Sequence, residues 1–144
     1  MKKVGIPENL STLFEAAREA RTRAYSPYSE HKVGAAVRTR DGKIFSGCNV
    51  ENSSYGATVC AERVAIQKAV SELGSIDIQE IMVVTDANPP WPPCGMCRQV
   101  IAEFGVNSII YAVNLEGQLK SSRFSELLPD AFTPAHLAPG SGAR

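Results

Sequence analysis

Two short stretches of this chain carry side chains equipped for chemistry. "TVCAER" (Thr58–Arg63) sets the thiol of Cys60 two residues before the carboxylate of Glu62, and "PPCGMC" (Pro92–Cys97) adds Cys94 and Cys97 at C-x2-C spacing. Thiolates are zinc ligands, and three of them leave one tetrahedral position open, the mark of a catalytic rather than a structural site. A carboxylate beside that position can take a proton from water and hand it on. Three thiolates and one Zn2+ leave a net negative charge that is costly to bury alone. Arg63, directly after Glu62, is placed to donate hydrogen bonds to the sulfurs. The pattern predicts one Zn2+ on Cys60, Cys94 and Cys97, Glu62 as proton carrier and Arg63 as charge balance.

The same residues admit other chemistry. A C-x2-C pair at a helix start after a strand is also the setting of a dithiol oxidoreductase, although that leaves Cys60 and Glu62 without a role. Cys48 as a fourth thiolate would close the site and make the metal a structural staple. Asn49, Glu51 and Asn52 could be no more than a polar loop after a hairpin, Arg98 and Gln99 a brace for a helix, and Tyr25 and Tyr28 packing residues. His136 stands in a stretch with no partner motif and reads as solvated.

For the thiols to meet, two helix starts must converge. Leu10, Leu13, Phe14, Ala17 and Ala20 recur at helical spacing, which predicts a first helix from about Pro7 to Ala24. Pro27 in "YSPYS" breaks it. Two β-type runs follow, Val33–Arg38 and Ile44–Asn49, joined through Asp41-Gly42, a hairpin signal. A second helix is predicted from Thr58, as N-cap, to about Leu73, with Gly74 as its left-handed stop. "IMVVT" (Ile81–Thr85) reads as a buried strand. A third helix opens near Pro93 and ends before Gly105. "SIIYAV" (Ser108–Val113) and a weak Leu119–Ser121 follow as strands, then a short helix over Phe124–Leu128. Cys60 and Cys94 thus fall at helix starts, whose unpaired N–H groups and dipoles favour thiolate. Strands alternating with helices argue for an α/β layer structure.

Composition narrows the partners. With 144 residues, 44% hydrophobic and 21% charged, the chain reads as one globular domain, 1–144, with 135–144 as a flexible tail. Fifteen basic residues balance fifteen acidic ones without a Lys/Arg block, which argues against a nucleic-acid partner and for a small ligand. No secretory signal or bilayer-length apolar run is visible, so no membrane association and a cytoplasmic location are expected, where four cysteines serve as ligands or catalysts.

Four ordered blocks carry a resemblance: "YSPYSEHKVGAAV", "GCNVENSSYGATVCAER", "PCGMCRQVIAEFG" and "ELLPDAF". From about Tyr25 to Phe132 the chain resembles the small, homotetrameric type of zinc-dependent cytidine deaminase, and "CAE" with "PCGMC" matches the zinc deaminase signature in which the Glu is not a ligand. The resemblance implies a three-layer α-β-α fold with a mixed five-stranded sheet flanked by helices, one Zn2+ per chain, and a homotetramer with active sites shared between subunits. It implies hydrolysis of cytidine or deoxycytidine to uridine or deoxyuridine plus ammonia, in pyrimidine salvage, with Glu62 protonating N3 and then the leaving amine. Asn49 and Glu51 would meet the ribose 3′-hydroxyl, and the Ala61 backbone would read the ring. From a neighbouring subunit, Ser53 and Tyr55 would lie near the 5′ end and Phe132 against the base.

Two positions depart from that pattern. His31 stands where the family usually has an aromatic, typically Phe, that walls the base pocket. Imidazole can still stack, but it adds hydrogen bonding and titrates near neutrality. It either packs in the same place or alters substrate choice, toward a modified cytosine or a nucleoside analogue. Trp91, among the prolines of "PPWPPC", is read first as part of a stiff surface loop or subunit contact, and second as a wall over the pocket mouth.

Overall fold

In the computed structural model, residues 5–138 are described. One five-stranded mixed sheet runs in the order β2-β1-β3-β4-β5. Its strands are β1 (Gly34–Thr39), β2 (Ile44–Cys48), β3 (Ile78–Thr85), β4 (Ile109–Asn114) and β5 (Leu119–Arg123). β3 and β4 are parallel, and the other neighbours are antiparallel. A parallel pair needs a crossover, supplied here by helix α3 (Gly95–Phe104).

Both faces of the sheet are covered, which is why seven of the eight β3 residues are buried, all but Gln79. On one face, helix α1 (Ser11–Arg21) lays Leu13, Phe14 and Ala17 on Ala36, Met82, Val84 and Val113. On the other, α2 (Ala61–Leu73) and α3 bring Ala65, Ile66, Ala69 and Ile101 onto Val37, Ile81, Val83 and Ile110. Alternate residues of β1 and β3 feed the two cores, as a period of two requires. The result is the three-layer arrangement expected.

The elements differ from the sequence reading mainly at their starts. The first helix opens as a 3-10 turn, Glu8–Leu10, and α1 proper ends at Arg21, because Thr22 already turns back onto the Glu19 carbonyl. β3 begins at Ile78 rather than Ile81. The acidic Glu80 breaks the apolar pattern, but its charge is met by Arg38 Nη1 at 2.6 Å and Tyr111 Oη at 3.2 Å. α2 starts at Ala61, not near Thr58. Val50 and Val59 exchange both backbone hydrogen bonds, at 2.9 Å each, which keeps residues 58–60 extended. α3 starts at Gly95, two residues beyond Pro93.

Two short helices follow β5: α4 (Phe124–Leu127) and α5 (Pro134–Leu137). The tail reading of 135–144 therefore overlaps a helical turn, and residues 139–144 lie outside those described. His136 is exposed, as read, but it also has partners. Its Nδ1 accepts the Thr133 N–H at 3.1 Å, and its ring stacks on Phe132 at 5.2 Å. Arg98 braces α3 as read, donating from Nε to the Pro93 carbonyl at 2.9 Å and from Nη1 to the Leu127 carbonyl at 2.8 Å.

Candidate active site

Topology brings the chemistry to one edge of the sheet. Gly34 at the start of β1 pairs with Cys48 at the end of β2 and with Val84 near the end of β3. The segments leading to α2 and α3 leave from this edge, so both helices begin there. Cys60 and Cys94 are their N-caps, each with extended backbone (φ −69°, ψ 155° and φ −69°, ψ 171°). Cys97 follows one turn into α3 and is fully buried.

The sulfurs of Cys60, Cys94 and Cys97 all lie within 4.8 Å of one another. Cys60 Sγ to Cys94 Sγ is 3.7 Å, and Cys94 Sγ to Cys97 Sγ is 3.5 Å. Zn–S bonds of about 2.3 Å in a tetrahedron give an S···S edge of about 3.8 Å, so the donor set fits zinc in type and spacing. Cys48, on β2, is outside this group among the described residues, and the three sulfurs alone leave a fourth position open.

The electrostatics suit a cation. A hydrogen bond from the Cys97 thiol, with further help from Arg63 and Cys94, pulls Cys60 down to about 5, while burial opposes the shift. Cys97 is pushed up by that same bond to Cys60, by burial and by the nearby charges of Glu62 and Cys60. Arg63 donates from Nη2 to Cys60 Sγ at 3.5 Å and to the Thr58 carbonyl at 3.4 Å.

Glu62 is 4% exposed, and burial lifts its carboxyl to about 7. It lines a cavity of about 270 Å3 together with Cys60, Ala61 and Cys94. A dithiol reading leaves Cys60 and Glu62 idle, whereas the fold delivers both to this cavity. Asn49, Glu51, Ser29 and His31 line it too, and Val33, Thr58, Val83, Thr85, Trp91 and Pro92 complete the walls.

The polar side chains among them are tightly held. Asn49 Oδ1 accepts the Val33 N–H at 2.9 Å, and its Nδ2 donates to the His31 carbonyl at 2.8 Å. Glu51 Oε1 accepts the N–H groups of Tyr28 and Ser29 at 3.0 and 3.1 Å, and the Ser29 hydroxyl donates to Oε2. Those bonds, the Ser29 hydroxyl foremost, hold the Glu51 carboxyl below the usual range. Trp91 meets His31 edge to face at 4.9 Å, so it is a cavity wall rather than only a surface loop.

Of the residues expected near substrate, Asn49, Glu51, Ala61 and His31 line this cavity, whereas Ser53, Tyr55 and Phe132 do not and are exposed. Sequence reasoning did not single out Ser29 or Thr85. The clue for Ser29 was a small hydroxyl between two residues of the "YSPYSE" block. Thr85 gave no signal beyond closing a strand.

Sequence and structure comparisons agree with this geometry. Residues 7–113 match the model of the cytidine and deoxycytidylate deaminase zinc-binding region. A cytidine deaminase from Halalkalibacterium halodurans is 50% identical over 122 residues, covering 84% of this chain and 92% of that protein. A blasticidin-S deaminase from Bacillus cereus is 33% identical over 92% of this chain and 99% of its own length. The crystal structure of cytidine deaminase from Burkholderia pseudomallei superposes with a TM-score of 0.81 at 45% identity, covering 88% of this chain and all of that one. The chain belongs to the cytidine and deoxycytidylate deaminase family, whose members of known structure share its mixed five-stranded sheet flanked by helices.

Proposed function

We propose that this protein is a zinc-dependent hydrolase that converts cytidine and deoxycytidine to uridine and deoxyuridine with release of ammonia, in pyrimidine salvage. The observation that carries the reading is the buried Glu62 carboxyl lining one cavity with Cys60 and Cys94, whose sulfurs converge with that of Cys97. Cys60, Cys94 and Cys97 would hold one Zn2+, which when bound supplies Lewis acidity and an acidified water. Glu62 would take one proton from the attacking water and deliver it to N3 as the water oxygen bonds to C4, then would carry the remaining hydroxyl proton to the amine, so that the C4–N bond breaks with release of ammonia and a C4 carbonyl is left. Arg63 offsets the thiolate charge. Val33, Val83 and Pro92 exclude solvent from the base. Asn49, with one amide hydrogen still unspent, and Glu51, with carboxylate lone pairs remaining, receive the ribose 3′-hydroxyl.

The assembly is read as a homotetramer with shared sites. Tyr55 and Phe132 are exposed aromatics outside their own chain's cavity, which suits delivery to a neighbour. Light scattering after size exclusion would test this; a monomer would remove it. Among the described residues no helix is long and apolar enough to cross a membrane; a cytoplasmic location is part of the salvage reading.

A spectrophotometric screen over cytidine, deoxycytidine, cytosine and adenosine, run beside zinc analysis, tests the main reading. Turnover of the first two and about one zinc per chain are expected; zinc-free protein that reduces disulfides would overturn it. A second reading, a cytosine nucleoside modified on the base or sugar, is favoured by the imidazole of His31 against Trp91 and by the blasticidin-S deaminase relative. If His31→Phe leaves the ratio of kcat/KM between cytidine and C5- or N4-substituted cytidines unchanged, His31 has no part in base choice.

A further inference from the structure

We infer that Arg21, which lies outside the cavity, is a positioning residue that sets the width of the nucleoside pocket by fastening the His31 loop to the Trp91 loop. This rests on the cavity being the nucleoside site. Arg21 ends α1, and its side chain is only 16% exposed. Its Nε donates to the Lys32 carbonyl at 3.0 Å, and its Nη2 pairs with Asp86 at 3.3 Å. Lys32 directly follows His31, and Asp86 opens the segment that leads to Trp91. One guanidinium therefore holds both segments at their roots, while the two rings meet at their tips, 4.9 Å apart.

The anchor itself is rigid. Gly34 lies so close to α1 that an added Cβ would sit 2.7 Å from Arg21 Cβ and collide with the Ala17 carbonyl oxygen. The end of α1 is thereby fixed against the start of β1. Each loop is also tied down separately, the first through Asn49 to the His31 carbonyl and the second through Asn114 Nδ2 to the Ala87 carbonyl at 3.1 Å. Arg21 joins one loop to the other. The planar fork of a guanidinium can serve two acceptors at a fixed separation, which a lysine ammonium cannot reproduce. Loss of the link lets His31 and Trp91 part, so binding weakens while Glu62 and the sulfurs, at the starts of α2 and α3, keep their places. The kinetic signature is therefore in KM rather than kcat.

The test uses the full-length, zinc-loaded protein with Arg21→Gln, Arg21→Lys and Asp86→Asn. Trp91 is the chain's single tryptophan, so its fluorescence reports this wall alone. In Arg21→Gln, KM for cytidine should rise about tenfold with kcat within about twofold, as expected when binding common to ground and transition states is lost. Zinc content should stay unchanged, and iodide should quench Trp91 more strongly. Arg21→Lys should fall between parent and Arg21→Gln. Should Arg21→Gln fail to fold, Asp86→Asn, on an exposed side chain, must show the same KM and quenching shifts in smaller measure. Unaltered quenching in either neutralised variant, or kcat and zinc falling while KM holds, overturns the inference. A parent that ignores cytidine would sink the functional reading instead, and the quenching comparison would still decide whether Arg21 spaces the two loops.

Discussion

Cys60 and Glu62 open on one cavity although residues two apart in an α-helix point about 200° from each other. The conflict disappears because Cys60 is not in the helix. It is the N-cap of α2, with extended backbone, and Glu62 is the second helical residue. The cap residue escapes helical periodicity, so its sulfur can face the same space as the carboxylate that follows. Ligand and proton carrier are set beside each other by a helix boundary.

That placement separates the two roles experimentally. Glu62→Gln keeps shape and neighbours but cannot carry a proton. It should retain about one zinc per chain and lose at least ~10^2 in kcat, the usual size of a general acid–base contribution. Metal analysis with steady-state kinetics on cytidine checks this, and a fully active variant would end the assignment.

Removing a sulfur should act on the metal first. Cys97 is fully buried, and its Sγ sits 3.5 Å from Cys94 Sγ. Cys94→Ala or Cys97→Ala should lower zinc content from about one per chain toward zero and depress the thermal midpoint as well, since metal binding free energy is also folding free energy. Treating the parent with a strong chelator should reproduce both effects. Retained zinc in either variant would argue for a different ligand set.

The sequence made the sulfurs and Glu62 readable because their chemistry is local: two motifs, each at a helix start. It hid what depends on approach across the fold. Thr58 looks like an N-cap, but the Val50–Val59 bridge keeps that segment extended and moves the cap to Cys60. Glu80 looks like the end of an apolar run until Arg38 and Tyr111, from two other strands, are seen to meet it. Trp91 among prolines reads as a stiff surface loop, and nothing local announces that His31, from a distant stretch, stands against it. His136 likewise finds Phe132 and Thr133 only because the chain turns at α5.

Glu51 yields a prediction in pH. The Ser29 hydroxyl, then the Ser29 and Tyr28 N–H groups, hold its carboxyl below the usual range, with the charge of His31 adding to them. Since the folded-state pKa lies under the unfolded one, this stabilisation is complete above the ordinary glutamate value of about 4.3 and is lost as pH falls through the depressed value. Ser29→Ala should therefore shift the urea midpoint below the parent's at neutral pH and still do so near pH 5. The gap should close in acid, where both proteins carry a protonated Glu51. A gap that persists there would mean that the hydroxyl acts by packing rather than through the charge.

Gly47 tests how firmly the sheet sets the metal-binding helix. It sits in β2 beneath the first turns of α2, where an added Cβ would lie 2.6 Å from Ala65 N, 2.9 Å from the Ala61 carbonyl oxygen and 2.9 Å from Val64 Cγ1. Two of those three neighbours are backbone, which cannot rotate out of the way, so α2 must lift from β2. Overpacking of this kind costs roughly 1–3 kcal/mol. Because Cys60 and Glu62 stand at the lifted end while Cys94 and Cys97 stay with α3, Gly47→Ala should weaken zinc retention and kcat together with stability. Competition against a zinc chelator, measured beside the urea midpoint, distinguishes this from a simple packing defect. A variant that loses stability but holds zinc as tightly as the parent would show that α2 can shift without carrying Cys60 with it.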